Sequence, residues 1–212
     1  MTDLRVCFIG DSLVLGTGDD EFLGWPGRVM QREREAGHNV TLYNTGIRGD
    51  TTLMVEARWR AEAQARLPKE NPCALVFSFG CNDMAMEDGV LRNPPEEALA
   101  SAKRMISEAK DWLPTLWVGP PPVNDDDMPF SSAPGRYRYM SSSRNAQLSD
   151  MFEAAAEEMG VPYLDIFTPL STDPAWDSHY IKGDGVHPRG GGYAIIAEHV
   201  IGWDAWRKWF DG

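Results

Sequence analysis

The sequence predicts an α/β fold in which a five-stranded parallel sheet is covered by helices on both faces. Two observations carry that prediction. Apolar, β-branched or aromatic runs recur at residues 4–9, 40–43, 74–79, 115–118 and 162–166, and short apolar runs of this kind are what strands buried on both faces require. Segments of helical periodicity separate the runs. Strands that alternate with helices pair in parallel, because a helical crossover returns the chain in its original direction. The length of 212 residues fits one domain over residues 1–212, with ample chain for a core, and 42% hydrophobic against 25% charged residues is an ordinary globular balance.

Taken in order, the first strand, residues 4–9, runs straight into Gly10-Asp11-Ser12-Leu13. A helix is expected over residues 24–35, with Trp25, Val29 and Met30 on one side. After the strand at 40–43, Thr51 or Thr52 is placed to cap a helix that runs to Arg66 and ends before Pro68. The strand at 74–79 is the most strand-like run of the chain. Pro94-Pro95-Glu96-Glu97 reads as a helix start, continuing to Trp112 before Pro114. The strand at 115–118 leads into residues 119–135, an irregular stretch containing Pro120-Pro121-Pro122 and Asp125-Asp126-Asp127. Such a length of loop reads either as a pocket wall or as a solvated connector. A long helix over 138–159 has Gly160 just past its end, the strand at 162–166 follows, and a helix over 193–210 closes the chain. Trp203, Trp206 and Phe210 fall near one face of it, with Trp209 beside them; core packing is the expected use, and a homo-oligomer contact or an apolar-substrate surface the alternative. The whole reads as a doubly wound, flavodoxin-like three-layer α/β/α sandwich.

A net charge of −12 and a pI near 4.7 disfavour nucleic acid and anionic membranes as partners. No run is long enough to cross a bilayer, and Asp3 and Arg5 flank a short apolar strand where a signal peptide would place a basic and then an apolar segment. A cytoplasmic location and a small-molecule substrate are expected. The three cysteines, Cys7, Cys73 and Cys81, lie in or just after apolar strands and read as buried free thiols.

Four segments at strand ends carry candidate chemistry. The carboxyl edge of an open parallel sheet is where such proteins hold ligands. Ser12 sits there as a candidate nucleophile, and a helix beginning beside it would aim N–H groups and a positive dipole end at the same spot. In Asn44-Thr45-Gly46, the absence of a side chain lets Gly46 bring its N–H close to a reacting atom. In Gly80-Cys81-Asn82-Asp83, Asn82 offers an amide that donates without titrating, as an oxyanion hole needs. In Asp184-Gly185-Val186-His187-Pro188, Gly185 lets the backbone bend so that Asp184 reaches Nδ1 of His187 and leaves Nε2 for the serine proton. His38, His179 and His199 lack that combination. Each segment alone is also an ordinary turn.

Together and in this order, the four blocks resemble the SGNH hydrolases, also called the GDSL esterase/lipase family. The resemblance implies the flavodoxin-like sandwich and a serine esterase: Ser12 as nucleophile, His187 as base, Asp184 as its orienter, an oxyanion hole of the Ser12 and Gly46 N–H groups with the Asn82 amide, and no cofactor or metal. The substrate is then a small-molecule ester, and the lack of a long apolar lid favours short-chain acyl or acetyl esters. Trp176, His179 and Tyr180, just before Asp184, are candidate substrate-pocket residues or simple packing. Two alternatives compete. One is a metal-dependent phosphoesterase using Asp11, Asn82, Asp83, Asp184 and His187; the other is a non-catalytic binding module on the same fold.

Overall fold

The computed structural model describes residues 1–182 and 184–211. Side chains alternate along the first strand, β1 (Asp3–Gly10): Val6 and Phe8 enter the core on one side of the sheet, Cys7 and Ile9 the core on the other. Helix α1 (Ser12–Leu15) is a single turn, so the expected dipole end at Ser12 is short. Helix α2 (Gly24–Glu35), strand β2 (Asn39–Gly46), helix α3 (Thr52–Arg66) and strand β3 (Cys73–Ser78) follow. A small hairpin of β4 (Met86–Glu87) and β5 (Val90–Leu91) precedes α4 (Pro95–Trp112) and β6 (Thr115–Val118). A second hairpin, β7 (Phe130–Ala133) and β8 (Arg136–Arg138), leads into α5 (Ser142–Met159). Strand β9 (Tyr163–Leu164), α6 (Phe167–Ser171), α7 (Gly190–Ile201) and α8 (Asp204–Arg207) complete the described chain.

The five long-range strands form one parallel sheet in the order β2-β1-β3-β6-β9, so the expected three-layer sandwich is present. One core lies between the sheet and α2, α7 and the C-terminal turn; the other lies under α3, α4 and α5. Because β1 sits between β2 and β3, the chain leaves it to one side and then crosses to the other. That reversal opens a crevice at the carboxyl ends of β1 and β3, the place where doubly wound sheets hold their ligands. At this edge the backbones are too close for side chains: a Cβ on Gly10 would lie 1.9 Å from the Ser78 carbonyl oxygen.

Several boundaries differ from expectation. The helix expected from residue 138 starts at Ser142, because Arg136–Arg138 pair with β7. The stretch 119–135 is therefore not all irregular. It holds a 3-10 turn at Asp125–Asp127 and half of a hairpin, and Asp125 accepts from the Ser142 N–H at 3.1 Å, so the acidic loop caps α5. The closing helix is two helices, broken at Gly202 and Trp203. Trp206 and Phe210 are core residues. Trp206 packs against Phe8 at 6.2 Å and donates from Nε1 to buried Glu33 at 2.9 Å. Thr51 stands at the N-cap of α3 as expected, but its side chain makes no cap hydrogen bond; Asp83, 31 residues away, accepts from the Thr52 N–H (3.0 Å) and Oγ1 (2.9 Å) instead.

Candidate active site

Asp11 is extended, and its carboxylate accepts from the Leu13 N–H at 2.9 Å, turning the chain sharply at the end of β1. Ser12 is thereby set at the floor of the crevice. Across from it, the Asp184–His187 loop is pinned by the Asn124 N–H on the Gly185 carbonyl (2.7 Å) and the Ile181 N–H on the His187 carbonyl (3.1 Å). Gly185 has φ +66°, and a Cβ there would lie 2.7 Å from the Asn124 oxygen, so the expected hinge is a steric requirement. The result places His187 Nε2 2.8 Å from Ser12 Oγ, and His187 Nδ1 3.0 and 3.1 Å from the two Asp184 oxygens. Asp184 also accepts from the Val186 and His187 N–H groups. Burial pushes its carboxyl up, but the His187 hydrogen bond and charge and the two N–H donors outweigh it and hold Asp184 below its ordinary value. The edge of Phe130 stands against the imidazole, with ring centres 5.6 Å apart.

Asn82 lines the same cleft and donates one amide hydrogen to Asp11 at 3.2 Å. A carboxamide has two N–H bonds, so this contact fixes the group and leaves the second for a ligand. Burial raises Asp11 to about 6, against the Leu13 N–H, the charge of His187 and the Asn82 amide, which act downward. Between roughly pH 4 and 6 the folded protein keeps a proton on Asp11 that the unfolded chain has released, so this group destabilises the fold progressively as pH rises. Two pH units correspond to about 3 kcal/mol. Asp11→Asn is expected to raise stability at pH 7.5 relative to the native protein and to leave it nearly unchanged at pH 4, read from urea unfolding at both values; equal differences at both would contradict the assignment.

Gly46 is placed differently from expectation. Its N–H donates to Asn44 Oδ1 at 2.9 Å, and a Cβ on it would lie 2.3 Å from the Leu15 nitrogen. Gly46 therefore packs β2 under α1 and does not line the cleft. Gly49 does. It occupies the third position of the turn Ile47–Asp50 with φ +81°, and among the described residues neither its N–H nor that of Ser12 donates to a protein acceptor. The segment is braced by Arg58, whose Nε binds Asp50 at 2.7 Å while its two terminal nitrogens donate to the carbonyls of Thr45 and Gly10, each at 2.8 Å. The sequence cue was present as a second glycine, but which of two nearby glycines faces the cleft depends on turn handedness.

Trp176, His179 and Tyr180 also fall outside the cleft. Trp176 Nε1 donates to Tyr180 Oη at 2.6 Å and Tyr180 Oη donates to the Pro122 carbonyl, so both rings are buried packing with satisfied polar ends, and His179 lies tilted against Trp176. The wall comes instead from the hairpin β7–β8, through Phe130, Ser132, Ala133, Arg136 and Arg138. Cys81 is fully buried, and burial holds its thiol well above the ordinary value, which keeps it unreactive. The ligand set of a metal site does not assemble: Asp83 is occupied by Thr52 and Asn93, Asp184 by His187, and Asp11 by Leu13 and Asn82. Among the described residues no three His, Cys, Asp or Glu side chains group to hold a metal ion.

Residues 8–195 match the profile of the GDSL-like lipase/acylhydrolase family. The chain belongs to that family. This GDSL-like hydrolase is also similar to an arylesterase of Vibrio mimicus, 26% identical over 204 residues that cover 92% of this chain and 86% of the relative. Among solved structures it resembles the lipase/acylhydrolase from Enterococcus faecalis (TM-score 0.74, 20% identity, 93% of each chain). It likewise resembles the psychrotrophic esterase EstA from Pseudoalteromonas sp. in a structure inhibited by monoethylphosphonate (TM-score 0.70, 15% identity, 98% and 99% of the two chains). The GDSL-like hydrolase is thus a carboxylic ester hydrolase acting on small-molecule esters. No helix among its described residues is long and apolar enough to cross a membrane.

Proposed function

We propose that this GDSL-like hydrolase cleaves short-chain carboxylic esters through an acyl-enzyme on Ser12. The single observation that carries this reading is the continuous chain Ser12 Oγ, His187 Nε2, His187 Nδ1, Asp184, with every link between 2.8 and 3.1 Å. Ser12 Oγ attacks the ester carbonyl while Nε2 takes its proton. Asp184 keeps the other ring proton on Nδ1 and balances the imidazolium charge. The tetrahedral oxyanion is met by the Ser12 and Gly49 N–H groups and by the Asn82 amide, in place of the trio that includes Gly46. His187 then returns its proton to the leaving alkoxide, and a water deprotonated by His187 attacks the acyl carbon and frees the acid. The cleft of about 290 Å³ lies at the small end of ligand sites, which favours acetyl and short acyl groups. The arylesterase name of the Vibrio relative is consistent with an aromatic leaving group.

Two results test this. With 4-nitrophenyl acetate, a burst of nitrophenol equal to the active chains should precede steady turnover, the acetyl group should be found on the peptide containing Ser12, and kcat/KM should fall with acyl length. An absent burst together with no acetylated peptide would set the acyl-enzyme aside. Asn82→Ala should lower kcat by roughly 10²–10³-fold with little change in KM, because the amide is aimed at charge that develops only in the transition state; an effect confined to KM would assign Asn82 to ground-state binding.

A further inference from the structure

The chain is strongly acidic, yet the wall around Ser12 is basic. Arg48, Arg92, Arg136 and Arg138 line the cleft, and Asp50 is the lining carboxylate that faces them among the described residues. Asp50 is occupied by Arg58. Behind the wall, Glu87 pairs with Nε of Arg136 at 2.6 Å, accepts from Nε of Arg138 at 3.1 Å, and lies 4.0 Å from Nε of Arg92. One carboxylate therefore serves three guanidinium groups, and it meets each at Nε. The terminal nitrogens of Arg138 lie beside Gly49, 3.4 and 4.0 Å from where its Cβ would stand, and such a pair grips carboxylates and phosphates as a fork. The other carboxylates near the cleft are committed: Asp83 to Thr52 and Asn93, Asp184 to His187, and Asp11 to Leu13 and Asn82.

The position of the fork matters as much as its charge. Arg138 is only 8% exposed, and its Nη1 lies 3.4 Å from where a Cβ on Gly49 would stand, beside the proposed oxyanion donor. Arg92 reaches the Asn82 backbone, its Nη1 donating to the Asn82 carbonyl at 3.4 Å. Burial, followed by the charge of Arg138, holds Arg92 below its ordinary value, a crowding that Glu87 and Asp83 only partly offset. Half-buried like charges are stabilised when a further anion completes the set.

We propose that the cleft selects esters that carry an anionic group, a carboxylate or a phosphate, with Arg138 and Arg92 as the inner fork and Arg48 and Arg136 as its exposed rim. This narrows the substrate class of the Ser12 esterase reading and rests on it. Phe130, Met140 and Val186 line the same cleft with apolar surface, suited to an aromatic ring or a short chain.

The test compares 4-acetoxybenzoate and 4-acetoxyphenyl phosphate with the uncharged 4-acetoxybenzamide. All three present the same acetyl ester on a phenol. At low salt, kcat/KM for at least one anionic ester should exceed that of the amide by about tenfold, the size of one charge-assisted contact, and the larger ratio names the anion. The ratio should shrink at high ionic strength. It should fall about tenfold in Arg138→Gln and only partly in Arg138→Lys, which keeps the charge and loses the fork. If Arg138→Gln unfolds, the double variant of the exposed pair, Arg48→Ala with Arg136→Ala, should lower the same ratio. An amide hydrolysed as well as both anions by a Ser12-dependent route overturns the proposal and leaves the esterase reading intact. So does a ratio that no arginine variant changes. Hydrolysis of any of the three that survives Ser12→Ala undermines the esterase reading itself.

Discussion

Ser12→Ala should lower kcat by roughly 10⁶-fold, His187→Ala should cost about as much, and the double variant should lose little more. The reason is the 2.8 Å contact between Oγ and Nε2. A serine without its base stays a neutral hydroxyl, and a base without its serine has only water to activate. The two side chains therefore supply one step, and removing either removes it. What survives is the stabilisation from the oxyanion donors and from binding, a residue of roughly 10³–10⁴ over the uncatalysed rate. Single-turnover rates on 4-nitrophenyl acetate for the native protein and the three variants measure this. If the loss in the double variant equals the product of the single losses, the two residues act independently and the coupled mechanism is wrong.

Asp184→Asn should lower kcat by about 10⁴-fold while leaving the fold intact. Both Asp184 oxygens face Nδ1, which obliges that nitrogen to carry the proton and leaves the Nε2 lone pair toward Ser12. An asparagine presents an N–H in place of one oxygen and favours the opposite tautomer, in which Nε2 carries the proton and cannot accept another. Its remaining carbonyl can still take the Val186 and His187 N–H groups, so the loop should keep its shape. The expected signature is a kcat loss with little change in Tm. An unchanged kcat would mean that the imidazole is oriented by something other than Asp184.

The parts of the fold legible in the sequence are those whose signal is local. The five sheet strands announce themselves through β-branched and aromatic runs, and α2, α3 and α4 through periodicity bounded by prolines or capping residues. Gly160 ends α5 with φ +66°, the left-handed turn that glycine favours. The hairpin β7–β8 was hidden because three- and four-residue strands carry no period, and it took the first turn of the expected helix at 138. Gly202 sits inside an aromatic pattern that otherwise reads as one helix, and the break there lets α8 tip Trp206 into the core. The Asp83 cap of α3 and the Asp11–Asn82 contact join residues 31 and 71 apart, so no local pattern announces them.

The site divides in the same way. Ser12, Asn82, Asp184 and His187 stand in three short motifs at strand ends or just before the last helices, and the fold brings Ser12, Asn82 and His187 to one cleft with Asp184 against His187. Gly46 ends β2 and so stands out in the sequence, but it is Gly49 in the following turn that lines the cleft. Trp176 and Tyr180 look like pocket residues because they are aromatic and near Asp184; they satisfy each other's polar atoms and close over the core instead. The cleft arginines come from three separate segments, which no linear motif displays.

The central claim is that Ser12 is the nucleophile, activated by His187. The most direct test is to treat the protein with an organophosphonate ester, follow activity, and map the adduct by peptide mass spectrometry. One phosphonyl group per chain on the peptide containing Ser12, activity lost in parallel with labelling, and strongly slowed labelling in His187→Ala is the result expected here. Full inactivation with the adduct on another residue, or labelling undiminished in Ser12→Ala, would contradict it.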